Sequence, residues 1–229
     1  MAEFIFMLTH NDETVANALE VYDALRDTAI RHIGFKDVGA SPDALAKLAG
    51  RMHEDGRTVY LEVVSVSADD ELRSIRVARD IGVDVVMGGT HVDEAIELLA
   101  GSALRYFPFP GRIIGHPSVL DGTIDEIAAS AANLGARDGV HGLDLLAYRH
   151  AGPVEPIIDA VVRASSAPVV VAGSIVSADQ IRALTDLGAW GFTIGGAAFE
   201  LALPAAATIR AQAEWALETA RAAASASAS

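Results

Sequence analysis

Two short apolar runs near the C-terminal end of the chain finish on glycine, PVVVAGSI at 168–175 and WGFTIGGAA at 190–198. Glycine at a strand end leaves backbone N–H groups bare, and bare amides suit an anion such as phosphate. Three ionisable side chains interrupt other apolar runs. Lys36 closes IGF, Glu62 sits within LEVV, and Asp144 sits within GLDLL. A buried charge needs a partner, and Lys36 with Glu62 on a neighbouring strand would supply both acid and base for a 1,2-proton shift. A charged Lys36 would stabilise an enediolate oxygen or shuttle a proton. A neutral Lys36 would form a Schiff base with a carbonyl. Asp144 suits a general base, a hydroxyl acceptor or an interior ion partner. Each of the three also fits a purely structural ion pair.

These residues sit in a regular alternation of segments. The first strand spans about Phe4 to Thr9. Asn11 or Asp12 then caps a helix, VANALEVYDALRDT. HIGFKDV, 32–38, is the second strand. Ser41 and Pro42 open a helix that ends at Gly56. TVYLEVVSV, 58–66, is rich in β-branched residues and makes the third strand, followed by the helix SADDELRSIRVARDIG. VDVVMGG, 83–89, is the fourth strand, with HVDEAIELLAG as its helix. Arg105 to Phe109 form the fifth, and the loop PGRIIGHPSVLDG after it is long enough to act as a lid. Thr123 and Glu126 have capping-box spacing before TIDEIAASAANLGA. GVHGLDLLAY, 139–148, is the sixth strand, with PVEPIIDAVVRASS as its helix. The two glycine-bearing runs are the seventh and eighth. Ser177 and Gln180 repeat the capping-box spacing between them. One helical turn is expected at Ala197 to Leu201, and a closing helix runs from Pro204 to about Ala222.

Eight strands alternating with eight helices predict an α/β fold, a single (β/α)8 TIM barrel over residues 1–222 with a disordered tail at 223–229. The active site of such a barrel lies at the C-terminal ends of its strands. Those ends carry Thr9, His10, Asn11 and Asp12, then Lys36 and Asp37, of which only one faces the interior. They also carry Ser65, Thr90 and His91, Arg112 and His116 in the fifth loop, and Tyr148 and Arg149 after Asp144. Lys36, Glu62 and Asp144 are the expected catalytic residues. His10, His91, Arg112 and His116 are expected to orient the substrate. No compact metal-ligand spacing such as HExxH occurs, and neither a metal nor another cofactor is expected.

AGSI at 172–175, then a helix, then GFTIGGAAF at 191–199 resembles the phosphate-gripping end of the ribulose-phosphate-binding barrels. That superfamily includes sugar-phosphate epimerases, isomerases, decarboxylases and synthases. The ending is similar to that of the N-acylmannosamine-6-phosphate 2-epimerases. The resemblance implies phosphate binding by amides of Gly173, Ser174, Gly195 and Gly196. It does not extend to those epimerases' catalytic residues. Their AEG reads AGS here, and their lysine follows the third strand whereas Lys36 follows the second.

The expected function is therefore an epimerase or isomerase acting through an enediolate on a small phosphorylated sugar or sugar acid. The alternatives are a Schiff-base aldolase using Lys36, a barrel that senses a phosphorylated metabolite without chemistry, and a flavin-binding relative. The 229 residues are 51% hydrophobic, enough for one large core, and the formal net charge is −14. That charge argues against nucleic acid and anionic membranes as partners. There are no cysteines, and MAEFIFMLTH lacks a basic segment and a cleavage site, so a cytoplasmic location is expected. A homo-oligomer is expected from the alanine-rich exterior.

Overall fold

The computed structural model describes residues 2–65 and 67–227. Eight parallel strands make one sheet: β1 (Glu3–Met7), β2 (His32–Lys36), β3 (Thr58–Val63), β4 (Val85–Gly88), β5 (Arg105–Phe107), β6 (Leu143–Leu145), β7 (Val169–Val171) and β8 (Gly191–Ile194). The order around the sheet is β6-β7-β8-β1-β2-β3-β4-β5. The gap between its two ends is bridged by the backbone. His141 N donates to Tyr106 O at 2.8 Å and Asp144 N to Pro108 O at 3.0 Å. The sheet thus curls into a barrel.

Seven helices lie between the strands or flank them: α1 (Ala18–Asp23), α2 (Pro42–Glu54), α3 (Ala68–Ile81), α4 (Val92–Leu99), α5 (Ile124–Gly135), α6 (Val154–Ala164) and α7 (Ala178–Asp186). A single turn, Gly196–Phe199, follows β8, and α8 (Ile209–Ser227) closes the chain. The start signals in the sequence form as hydrogen bonds. Ser41 Oγ accepts from Ala44 N with Pro42 at the first helical position, and both capping boxes, Thr123–Glu126 and Ser177–Gln180, are complete.

Alternation along the strands sorts side chains into two cores. Phe4, Phe6, Ile33, Phe35, Leu61, Val63, Leu143, Leu145, Val169, Val171, Phe192 and Ile194 face outward and pack under the helices. Ile5, Met7, Tyr60, Val85, Met87, Phe107 and Val170 form a separate cluster inside the barrel. The same parity turns Lys36, Glu62 and Asp144 inward. Lys36 lies in register with Glu62, and Asp144 with Val170. Both cores are closed to outside solvent: nearly every member is under 5% exposed.

Four segments depart from the sequence expectation. Asn11 and Asp12 do not cap a helix. They form the tip of a hairpin between Thr9–His10 and Glu13–Thr14, with φ of 51° and 66°. Two positive φ values at a two-residue tip match a type I′ turn, which Asn and Asp tolerate. α1 is correspondingly short. The fifth loop is also a hairpin, Arg112–Ile114 against Val119–Asp121, rather than an irregular lid. β6 is only three residues long, and a 3-10 turn at Ala147–Arg149 takes over where strand was expected to continue. α8 runs to Ser227, past the expected Ala222, so 223–227 are helical rather than disordered. Ala216, Ala220 and Ala223 are buried along one stripe of that helix, which gives the alanine-rich end a face to pack. Residues 228 and 229 lie outside the described residues, as does Val66 at the end of the expected third strand.

Candidate active site

A cavity of about 500 Å³ opens at the C-terminal ends of the strands, the size of an ordinary small-molecule site. Two unlike surfaces line it. One is main chain: Gly173 and Ser174 after β7, and Gly195 and Gly196 after β8. The amides of Gly173 and Ser174 donate to no protein acceptor among the described residues, nor do Gly196 and Ala197 at the start of the helical turn. Glycine is required at two of these positions. Gly173 has φ +91°, and a Cβ there would come 2.8 Å from Arg149 Cγ; a Cβ on Gly195 would meet Thr9 Oγ1 at 2.5 Å. Both backbones therefore approach a neighbour more closely than any other residue allows.

The other surface is charged. Lys36 and Glu62 reach the cavity from β2 and β3 and are 3.4 Å apart. Lys36 also forms an ion pair with Asp12 at the hairpin tip. The same Asp12 oxygen accepts from Arg149 Nη2 at 2.9 Å. Its second oxygen accepts a long bond from Ser118 N, 3.4 Å. Asp12 thus ties together the first loop, β2, the fifth-loop hairpin and the segment after β6. Burial alone would raise its carboxyl. The hydrogen bond from Arg149 and the charge of Lys36 win, and hold it well below the usual carboxylate range.

Asp144 stands behind this lining, wholly buried, and neither of its oxygens has a hydrogen-bond partner among the described residues. Burial pushes its carboxyl far above the ordinary value, and the charge of Glu62 adds to the effect. Lys36 and Arg149 offset only part of it. The Asp144 carboxyl is thus shifted up and that of Asp12 down, and both feel the charges of Lys36 and Arg149. Two carboxyls with opposed shifts are the usual sign of an acid–base site.

The remaining expected residues divide. His10 lines the cavity, with Nε2 3.4 Å from Glu200 Oε1. His116 is not among its lining residues, but its Nδ1 lies 3.8 Å from Asp12 Oδ2. His91 does not converge. It occupies the N-cap position of α4, and its Nδ1 bonds Glu71 Oε2 at 2.8 Å. Arg112 does not converge either: it is exposed and paired with Asp121 across its own hairpin. Asp37 points the other way from Lys36, where it accepts from Val64 N and Ser65 Oγ. Asp12 and Arg149 are the residues to which the sequence assigned no chemistry beyond a place at strand ends. Asn11 and Asp12 are residue types that tolerate the left-handed conformation of a hairpin tip, the one local signal for it; nothing local marks Arg149. Among the described residues no group of three or more His, Asp or Glu is arranged to hold a metal ion, and no helix is long and apolar enough to cross a membrane.

No family model matches the chain, and no curated protein matches it. Solved structures do match its fold. N-(5'-phosphoribosyl)anthranilate isomerase from Pyrococcus furiosus is 13% identical with a TM-score of 0.65, over 97% of this chain and 100% of that one. The YdjI aldolase from Escherichia coli K12 is 16% identical with a TM-score of 0.64, over 96% and 90%. The tryptophan synthase complex from Pyrococcus furiosus is 13% identical with a TM-score of 0.64, over 96% and 98%. At such identities the likeness speaks for architecture, and together with the eight-stranded parallel sheet it establishes that this chain is a TIM barrel.

Proposed function

We propose that the chain is an enzyme that moves a proton beside the carbonyl of a small phosphorylated sugar or sugar acid, as an epimerase or isomerase. The observation that carries this reading is the two-sided cavity, with free amides on one wall and buried, ion-paired Lys36 and Glu62 on the other. The phosphate sits on the amides of Gly173, Ser174 and Gly196, where Gly195 lets the chain turn against Thr9. Glu62 takes the proton from the carbon next to the carbonyl. The C–H electron pair becomes the double bond of an enediolate, and the Lys36 ammonium meets the charge that develops on oxygen. Asp144 is the proton reserve behind Glu62. Return of a proton to the opposite face gives an epimer, and return to the neighbouring carbon gives an isomer. Solved neighbours that include an isomerase and an aldolase are compatible with chemistry of this kind.

Lys36 lies between two carboxylates, Asp12 and Glu62. An ammonium that stabilises an enediolate can stay there, whereas a nucleophilic amine must leave both. That favours proton transfer over a Schiff-base lyase. A panel of sugar phosphates incubated in deuterated water and followed by NMR tests it. Deuterium should enter at the carbon beside the carbonyl without carbon–carbon cleavage. A borohydride-trapped adduct on Lys36 would replace this reading with the aldolase. Ligands that bind and return unlabelled would replace it with a sensor.

A further inference from the structure

Arg149 plays no part in the proton chemistry above, yet it borders both walls of the cavity. Its stem lies across Gly173, the glycine whose missing Cβ makes room for it. Its guanidinium is held at two points, Nη1 to Ser118 O at 3.2 Å and Nη2 to Asp12 Oδ1 at 2.9 Å. The Nε–H beside Gly173 donates to no described residue. Arginine presents its donors in a fixed fork suited to phosphate, and this fork is already immobilised next to the free amides of Gly173 and Ser174.

We propose that Arg149 is the fixed cation of the phosphate site, and that the Asp12 oxygen it shares with Lys36 transmits the arrival of a phosphate to the reacting end of the cavity. The inference rests on the phosphate reading above and adds to it a residue and a consequence. Without a ligand, one carboxylate oxygen serves two cations. A phosphate on Arg149 competes for that cation and leaves Asp12 more fully to Lys36. Binding of the non-reacting end of a substrate then adjusts the residue that meets the developing charge, one way in which remote binding energy serves a reaction.

The test needs no substrate. The chain has two lysines, Lys36 and Lys47, and Lys47 is exposed on α2. With isotope-labelled lysine, each ammonium gives its own NMR signal. Inorganic phosphate should shift the Lys36 signal and leave that of Lys47 in place. Calorimetry should show phosphate binding weakened about 10- to 100-fold in Arg149→Gln, the loss expected for a charged hydrogen bond, and the Lys36 shift should disappear. Equal phosphate affinity in wild type and Arg149→Gln would overturn the proposal while sparing the amide site. A wild-type protein that binds no phosphate would remove the amide site as well, and the two failures are thereby distinct. Because Arg149→Gln takes one of two cations from the buried Asp12 carboxylate, a crystal of the wild-type protein grown in phosphate supplies a second reading. An oxygen about 2.8 Å from Arg149 Nε supports the assignment. Phosphate on the amides with that nitrogen turned away overturns it.

Discussion

Tyr60 and Glu62 lie two residues apart on β3, point into the same barrel and are both buried, yet their surroundings have opposite logic. Tyr60 is joined to a chain of polar neighbours. Its hydroxyl bonds His32 Nδ1 at 2.9 Å, and His32 Nε2 lies 3.4 Å from Glu3 Oε2. Trp190 and Phe107 close the layer with edge-on rings. One turn of the pleat higher, Glu62 belongs to a cluster in which Asp144 has no hydrogen-bond partner among the described residues and one oxygen of Asp12 serves two cations. A satisfied polar layer stabilises a fold. A partly satisfied one costs stability and is retained where a ligand completes it. On the proposed function, the lower layer holds the barrel together and the upper layer meets the substrate.

The sharpest way to break that contrast is to remove one group from each layer. Lys36→Met leaves Glu62 buried without its cation and Asp12 with Arg149 alone, a loss of about 3–5 kcal/mol. Turnover should fall by about 10²- to 10⁴-fold, the range for a lost proton-handling group. Ile5→Ala in the lower layer should cost a comparable 2–5 kcal/mol or so through the cavity it leaves, with turnover per folded molecule unchanged. Urea denaturation and the deuterium-exchange assay measure the two quantities separately. If Ile5→Ala lost turnover as Lys36→Met does, the division between layers would be wrong.

Asp144 and Asp12 sharpen the contrast within the upper layer, because their stability effects run in opposite directions with pH. The folded state raises Asp144, so it binds that proton more tightly than the unfolded chain does. The resulting stability is full below about pH 4 and is lost as pH rises toward the folded value. Asp144→Asn has no proton to lose. The stability of wild type relative to this variant should therefore decline above about pH 4, with a slope approaching 1.4 kcal/mol or so per pH unit. Asp12 is lowered instead. Its contribution is full above about pH 4 and fades only as pH falls below that, so Asp12→Asn should be destabilising at neutral pH and approach wild type in acid. Chemical denaturation midpoints from about pH 3 to 8 check both. A flat Asp144 difference would show that its carboxyl ionises as an exposed one does.

These two carboxyls also mark what the sequence can and cannot convey. Lys36, Glu62 and Asp144 were legible because strands buried on both faces tolerate few charges, so each stood out from its run. Parity then turned all three inward together. The eight-strand rhythm was legible for the same reason, helped by proline and capping signals at Pro42, Thr123 and Ser177. Strand ends were not, because Leu146, Ala147 and Ile175 are also buried, and apolar sequence continues into loops that pack over the barrel. Asn11 and Asp12 suit an N-cap and a hairpin tip equally well by type. The partnership of Asp12 with Arg149 joins residues 137 apart, a distance over which local pattern carries nothing. His91 and Arg112 sent the same kind of signal as His10. Glu71 and Asp121 engage them before they reach the cavity.

The amide wall offers a smaller but cleaner contrast between adjacent glycines. A Cβ on Gly195 would meet Thr9 Oγ1 at 2.5 Å, whereas one on Gly196 meets nothing within 4 Å. Gly195→Ala should therefore cost about 1–3 kcal/mol through overpacking. Gly196→Ala should leave stability within about 0.5 kcal/mol, while its new methyl, placed at the cavity lining, weakens phosphate binding severalfold. Thermal unfolding and phosphate calorimetry on both variants read the two effects. Unchanged phosphate affinity in Gly196→Ala would place the anion elsewhere.

The smallest expected effect is at Arg112. It sits in a loop beside the active face, is long and cationic, and is a natural candidate for gripping a phosphate. Yet 71% of its side chain is exposed, and its partner Asp121 is half-open to solvent on the same hairpin. An exposed pair of this kind gains little beyond the entropy of holding two side chains in place, and salt screens what remains. Arg112→Ala should shift stability by less than about 0.5 kcal/mol, with phosphate affinity and turnover as in wild type. Arg149→Gln, a substitution of the same residue type under 40 positions away, should weaken phosphate binding at least tenfold or so by the argument above. The two arginines differ in burial and anchoring rather than in chemistry. If Arg112→Ala lost phosphate affinity in step with Arg149→Gln, the fifth-loop hairpin would have to fold down onto the amide wall when a ligand binds.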